Sequence, residues 1–142
     1  MKDMRKITEI IIHCTATPEG RDCTVSQIRQ WHLRRGFRDI GYHFVIYRDG
    51  TIHSGRPVAQ AGAHCKDHNA NSIGVCYVGG LARDGKTPRD TRTEAQKRSL
   101  QNLIERLHRM YPSATLHGHC EYAAKACPCF DVQEYRFLLA LK

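Results

Sequence analysis

The stretch TEIIIHC, residues 8–14, holds three consecutive isoleucines and ends on a histidine and a cysteine. A short apolar run rich in β-branched residues is typical of a strand buried inside a sheet. A helical pattern, TVSQIRQWHLRRG, follows at 24–36, where Thr24 and Gln27 have the spacing of a capping box. We therefore predict a central strand followed by a helix, with His13 near the carboxyl end of the strand.

Further strands and helices follow along the chain. YHFVIYRDGTIHSG, at 42–55, alternates on both sides of an Asp-Gly pair and predicts a hairpin. TEAQKRSLQNLIERLHRM, at 93–110, is the clearest helix, because its leucines recur on one face and Thr93 and Gln96 have capping-box spacing. Two more strands and a last helix are indicated by NSIGVCYVGG at 71–80, SATLHG at 113–118 and DVQEYRFLLALK at 131–142.

These segments amount to about five strands and three helices, with helices and strands alternating apart from the hairpin. We predict an α/β fold in one domain, residues 1–142, with a mixed central β-sheet and helices packed on its faces. In the last helix, Asp131 and Glu134 have capping-box spacing, and Leu138 and Leu141 lie on one face. Active sites in such sheets usually lie at strand ends.

Composition narrows the class of protein. The chain has 142 residues, of which 41% are hydrophobic and 25% charged, as in a globular protein. No apolar run approaches the roughly 20 residues that cross a bilayer, and the basic start lacks a cleavage site. We predict a protein made in the cytoplasm without a signal peptide and without a membrane partner. Seven cysteines, an odd number, favour free thiols or metal ligands over a disulfide framework.

The segment HGHCEYAAKACPCF, residues 117–130, concentrates metal-binding side chains. No C-x₂-C pair occurs in the chain, so a structural zinc site is not favoured. A catalytic zinc needs only three protein ligands, which His13, His119 and Cys127 would supply. Chance clustering of histidines with inert, buried cysteines is the competing interpretation. In an extended loop, Lys125, Cys127 and Cys129 would alternate toward one side, and Lys125 would help the neighbouring thiol to ionise.

Four motifs carry a resemblance to a known family: IIIHCTAT, IRQWHLRRGFRDIGYHFVIYRDGTI, NSIGVCYVGG and HCEYAAKACPCFD. Taken in order, they resemble the type 2 N-acetylmuramoyl-L-alanine amidases over almost the whole chain. The likeness is strongest to the small T-odd phage lysozymes, which are zinc amidases, and weaker to peptidoglycan recognition proteins. The resemblance implies one zinc ion held by His13, His119 and Cys127.

The same resemblance implies further site residues. Tyr42, in GYHF, and Lys125, two residues before the cysteine ligand, match the catalytic tyrosine and lysine of the family. From the residues alone, Tyr42 reads more simply as an aromatic side chain packed on its neighbours. His64 lies in a segment where relatives place groups that contact substrate. The chain departs from the phage pattern at Cys120 and Cys129, which add sulfur atoms near the ligands.

The resemblance implies hydrolysis of the amide between the lactyl group of N-acetylmuramic acid and L-alanine in bacterial peptidoglycan. A compact chain without a wall-binding module suggests a monomeric endolysin of a phage or prophage, acting on the cell wall after release. One alternative is a non-catalytic peptidoglycan-binding module. Another is nucleic-acid binding, motivated by the net charge of +8. Because no nucleic-acid motif accompanies that charge, we expect no stable nucleic-acid partner.

Overall fold

The computed structural model describes residues 5–140. Its three α-helices are α1 (Val25–Arg34), α2 (Glu94–Met110) and α3 (Gln133–Ala140). Its strands are β1 (Glu9–Cys14), β2 (Thr17–Pro18), β3 (Phe44–Ile46), β4 (Ile52–Ser54), β5 (Ser72–Tyr77), β6 (Gly80–Leu81) and β7 (Thr115–Gly118). Within the described range, no helix combines the length and the apolar character needed to cross a membrane.

Five strands form the main sheet in the order β4-β3-β5-β1-β7. Strand β1 pairs in parallel with β5 and with β7, and β3 pairs in parallel with β5. Only the hairpin strand β4 runs antiparallel, against β3. The predicted mixed sheet with helices on its faces is therefore confirmed, and β1 has a hydrogen-bonded neighbour on each side. The short β2-β6 ribbon was not predicted from the sequence.

The two faces of the sheet bury different helices. On one face, Ile10 and Ile12 of β1 belong to a core cluster with Leu100, Leu103 and Leu107 of α2. On the other face, the α1 side chains pack in a smaller cluster around Ile28 and Val45. Because side chains alternate along a strand, His13 points away from the α2 face and toward the side of the sheet that α1 covers.

The capping boxes predicted for α1 and α2 are confirmed, with Thr24 and Thr93 as the N-cap residues. The one predicted for the last helix is wrong. The Asp131 carboxylate accepts from the backbone nitrogen of Gln133 at 2.9 Å, but Glu134 forms an ion pair with Arg92. A buried guanidinium thus replaces the local backbone as the partner of Glu134. Of the two leucines predicted on one face of α3, Leu138 packs against the core, whereas Leu141 lies outside the described residues.

Arg92 connects the loop before α2 to α3 and to the segment that follows Cys127. Its side chain is 2% exposed and pairs with Asp90 at 2.8 Å and with Glu134 at 3.0 Å. It also donates to the hydroxyl of Tyr135 at 2.7 Å, and its guanidinium carbon lies 3.5 Å from the ring centroid of Phe130. The buried Arg92 side chain thus links its own loop, the segment at Phe130 and helix α3.

We expect Arg92→Met to lower the free energy of unfolding by about 2–3 kcal/mol, measured by urea denaturation. A buried ion pair broken on one side costs about 3–5 kcal/mol, and the partial exposure of Asp90 and Glu134 reduces that figure. The matched control is Arg89→Met. Its pair with Glu19, at 2.9 Å, is 57% exposed at the arginine, and we expect a loss below about 1 kcal/mol. Equal losses in the two variants would contradict the role given to Arg92.

Candidate active site

The carboxyl ends of β1 and β7 bring two histidines together. The parallel register pairs Ile12 with Gly118, so the next residues, His13 and His119, leave the same edge of the sheet side by side. Their ring centroids are 4.5 Å apart. His13 is 1% exposed, whereas His119, in a short 3₁₀ turn directly after β7, is partly exposed. The Glu121 carboxylate accepts from the backbone nitrogen of Gly118 at 2.9 Å and stabilises the start of that turn.

Cys127 reaches this edge from the loop between the turn and α3. Its sulfur accepts a hydrogen bond from the backbone nitrogen of Cys14, the residue after His13, at 3.2 Å. The buried Tyr77 hydroxyl donates to the carbonyl oxygen of Pro128 at 2.7 Å. Both contacts tie the loop to the main sheet, so the sulfur is held next to the end of β1.

His13, His119 and Cys127 offer three donor atoms that all lie within 4.8 Å of one another. Two imidazole nitrogens and one cysteine sulfur form a set that suits zinc. The pKa of His13 is lowered well below its usual value, first by burial and then by His64 and His119. Burial, followed by Lys125, also lowers the pKa of His119. Both rings are therefore neutral at neutral pH, the form in which imidazole binds a metal.

The other sulfurs of the segment lie elsewhere. The sequence predicted that Lys125, Cys127 and Cys129 alternate toward one side of an extended loop. That prediction is wrong for Cys129, because the chain turns there, with a φ of 68° at Cys129. Its sulfur lies 3.9 Å from that of Cys14, on the α2 side of the sheet, and is not part of the donor group. Cys120 is exposed and is also outside the group.

A cleft of about 430 Å³ opens beside the donor group. It is lined by His119, Tyr42, His64 and Lys125, and also by residues that the sequence did not single out for the site: Arg35, Phe37, Lys66 and Tyr122. Three of the lining side chains are cationic and none is a carboxylate. A cleft lined with charge of one sign attracts ligands of the opposite sign. A cavity of about 500 Å³ near Asp22 and Tyr47 contains none of the three donors.

Tyr42 lies against the donor group as well as in the cleft. Its ring centroid is 5.2 Å from that of His13 and 5.3 Å from that of His32. The pKa of its hydroxyl is raised well above the usual value, first by burial and then by the neighbouring Cys76 and Cys127. The hydroxyl therefore stays protonated at neutral pH. It can donate a hydrogen bond, but it does not serve as a general base at neutral pH.

His64 is buried behind His13. Its Nδ1 lies 2.8 Å from Nε2 of His13, and its Nε2 lies 3.1 Å from Oγ of Ser72. Glu121, Thr15 and Thr17 lie closer in sequence to the ligands and could also serve as the partner of a ligating histidine. Those residues bond elsewhere: Glu121 with His117 and Arg136, Thr15 with Thr17. His64 is 51 positions from His13, and no local pattern marks the pair.

Fold and site together define an α/β protein with a two-histidine, one-cysteine donor set at the carboxyl edge of its sheet, facing an open cleft. The chain belongs to the N-acetylmuramoyl-L-alanine amidase family, whose sequence model matches residues 3–130. The recognition of this family from the sequence motifs is thereby confirmed.

Individual relatives agree with the family assignment. The chain is 44% identical to the endolysin of Escherichia phage T7, with 94% of this chain and 88% of the relative covered. Among solved structures, it is similar to the N-acetylmuramoyl-L-alanine amidase LysC from Clostridium intestinale, with a TM-score of 0.83, 30% identity and coverage of 97% and 88%. It is also similar to Drosophila PGRP-LB, with a TM-score of 0.74, 27% identity and coverage of 90% and 78%.

Proposed function

We propose that this protein is a zinc-dependent N-acetylmuramoyl-L-alanine amidase. It hydrolyses the amide between the lactyl group of N-acetylmuramic acid and L-alanine in bacterial peptidoglycan. The observation that carries the proposal is the convergence of His13, His119 and Cys127, with donor atoms within 4.8 Å, beside an open cleft. Membership in the amidase family and the similarity to phage endolysins support the substrate and the reaction.

His13, His119 and Cys127 would hold the zinc. When bound by three protein ligands, zinc supplies a Lewis acid and a water whose pKa is lowered to about 7. The protein's part is to keep both imidazoles neutral by burial and to hold the sulfur against the backbone nitrogen of Cys14. An N–H donor directed at the sulfur stabilises its thiolate form.

Tyr42 and Lys125 would act on the substrate carbonyl. Attack on an amide builds negative charge on the carbonyl oxygen, and a preorganised donor or cation lowers the energy of that state. Lys125 is exposed, lines the cleft and acts electrostatically on both histidines. Tyr42 keeps its hydroxyl proton and can donate it in a hydrogen bond to the same oxygen. The cationic lining with Arg35 and Lys66 favours an anionic substrate, such as a stem peptide that carries carboxylates.

The biological role we propose is that of a phage or prophage endolysin, working as a monomer on the cell wall. The donor group also favours an enzyme over a non-catalytic binding module. A module that only binds peptidoglycan needs no metal ligands, and this chain keeps all three. The nucleic-acid alternative has only the overall charge of +8 in its favour.

The test is digestion of purified cell walls by the zinc-loaded protein and by the same protein stripped with a chelator. We expect new L-alanine amino termini and released stem peptides by mass spectrometry with the zinc-loaded protein, and none after stripping. If zinc-loaded protein binds walls without releasing peptides, the binding-module alternative is correct. Retention on DNA at physiological salt by the zinc-free protein would instead favour nucleic-acid binding.

A further inference from the structure

A row of three buried side chains runs inward from the donor group. His13 is 1% exposed, His64 is 8% exposed and Ser72 is fully buried. The contacts between them, at 2.8 Å and 3.1 Å, are within hydrogen-bonding distance. Only His13 belongs to the donor group, so the other two side chains act on a metal ion only through it.

The hydrogen bonds along this row fix which nitrogen donates and which accepts at each step. A neutral imidazole has one N–H donor and one acceptor nitrogen. Nε2 of His13 faces His64, whereas its Nδ1 makes no hydrogen bond with any residue in the described part of the chain. If Nδ1 offers its lone pair to the metal, Nε2 carries the proton and donates it to Nδ1 of His64. Nε2 of His64 is then protonated and donates to the Ser72 hydroxyl.

The position of the His64 ring is set by glycines. A Cβ on Gly74 would lie 2.6 Å from Cγ of His64, and one on Gly62 would lie 2.8 Å from Cδ2. Both are closer than real Cβ contacts, so only glycine lets the backbone pass this close to the ring. Nδ1 of His43 accepts a hydrogen bond from the backbone nitrogen of Gly74 at 3.0 Å, which holds this part of β5 in place. The ring therefore packs closely against the backbone, in a slot that Gly62 and Gly74 form beside His13.

We infer that His64 is a positioning residue for the metal centre: it accepts the Nε2 proton of His13 and so holds the Nδ1 lone pair toward the ion. The inference rests on the proposed function in that it takes zinc as the ion. It differs from the substrate contact predicted for His64 from the resemblance. Partners of this kind typically change metal affinity about 10–100-fold when they are removed.

The experiment measures zinc affinity by competition with a chromogenic chelator. His64→Phe fills the slot but removes the acceptor, and we expect zinc affinity to fall about 10–100-fold. His64→Asn places an amide oxygen near the position of Nδ1, and we expect it to recover most of that loss. Circular dichroism and urea unfolding check that both variants fold. Affinity in His64→Phe equal to that of the unaltered protein would overturn the inference.

A second measurement needs no variant. Long-range ¹H–¹⁵N spectra of the zinc-loaded protein should show the proton of His13 on Nε2 and Nδ1 of His64 without a proton. A proton on Nδ1 of His13 would overturn the inference even if the variants fail to fold. Absence of zinc binding by the unaltered protein would instead refute the proposed function. A raised KM with unchanged zinc affinity and kcat in His64→Phe would show a substrate contact and not a positioning role.

Discussion

The Cys127→Ala variant is expected to lose zinc and amidase activity together. The substitution leaves His13 and His119 as the only two donors of the group, and it removes the negative charge that a thiolate brings to the ion. A catalytic zinc supplies several kcal/mol of transition-state stabilisation, so we expect wall cleavage to fall by roughly 10³-fold or more. Metal analysis by mass spectrometry and release of stem peptides, measured on the same preparation, check both parts.

Cys129→Ala is the matched control, because it removes a sulfur only two residues away. That sulfur lies 3.9 Å from the sulfur of Cys14 and outside the donor group, so zinc and activity should be retained. Cys127→Asp adds a conservative test, since a carboxylate is also a zinc ligand and should restore part of the binding. Loss of zinc in Cys129→Ala with retention in Cys127→Ala would show that the ligand assignment is wrong.

Local patterns predicted the elements of this fold well. Thr24 and Thr93 cap α1 and α2 as their spacing predicts, because a capping box involves atoms only three residues apart. The isoleucines of β1 are at most 1% exposed, since a run of β-branched residues without polar interruption is typical of a strand buried on both faces. The same reasoning failed for Glu134. Glu134 bonds to Arg92, 42 residues away in the sequence, instead of the nearby backbone, and a local pattern does not contain that contact.

The sequence predicted the three donors that the structure brings together, but it did not predict their contacts with other residues. Motif resemblance named His13, His119 and Cys127, and the register between β1 and β7 explains why the two histidines meet. No pattern in the sequence placed His64 against His13, because that contact requires Gly62 and Gly74 to bring the backbone close to the ring. Contacts of this kind depend on how loops return to the sheet, which periodicity and spacing do not encode.

Lys125→Ala is expected to keep zinc and lose turnover. The side chain lines the cleft but is not one of the three donors, so its removal leaves the metal ligands in place. Loss of one preorganised group that stabilises a developing oxyanion costs roughly 10²–10³-fold in kcat. Tyr42→Phe should behave in the same way, because it removes a hydroxyl donor while the ring still packs beside His13. Steady-state cleavage of a soluble muropeptide, with zinc content measured in parallel, gives both quantities.

Lys66→Ala is the matched control, since Lys66 is a second exposed lysine in the lining of the same cleft. A lysine that attracts an anionic substrate without contacting the carbonyl affects KM, and its contribution weakens as salt screens the charge. We therefore expect Lys66→Ala to raise KM at low ionic strength with kcat nearly unchanged, whereas Lys125→Ala lowers kcat at every salt concentration. If the two lysine variants show the same salt-dependent rise in KM, Lys125 serves only to attract substrate and has no part in stabilising the oxyanion.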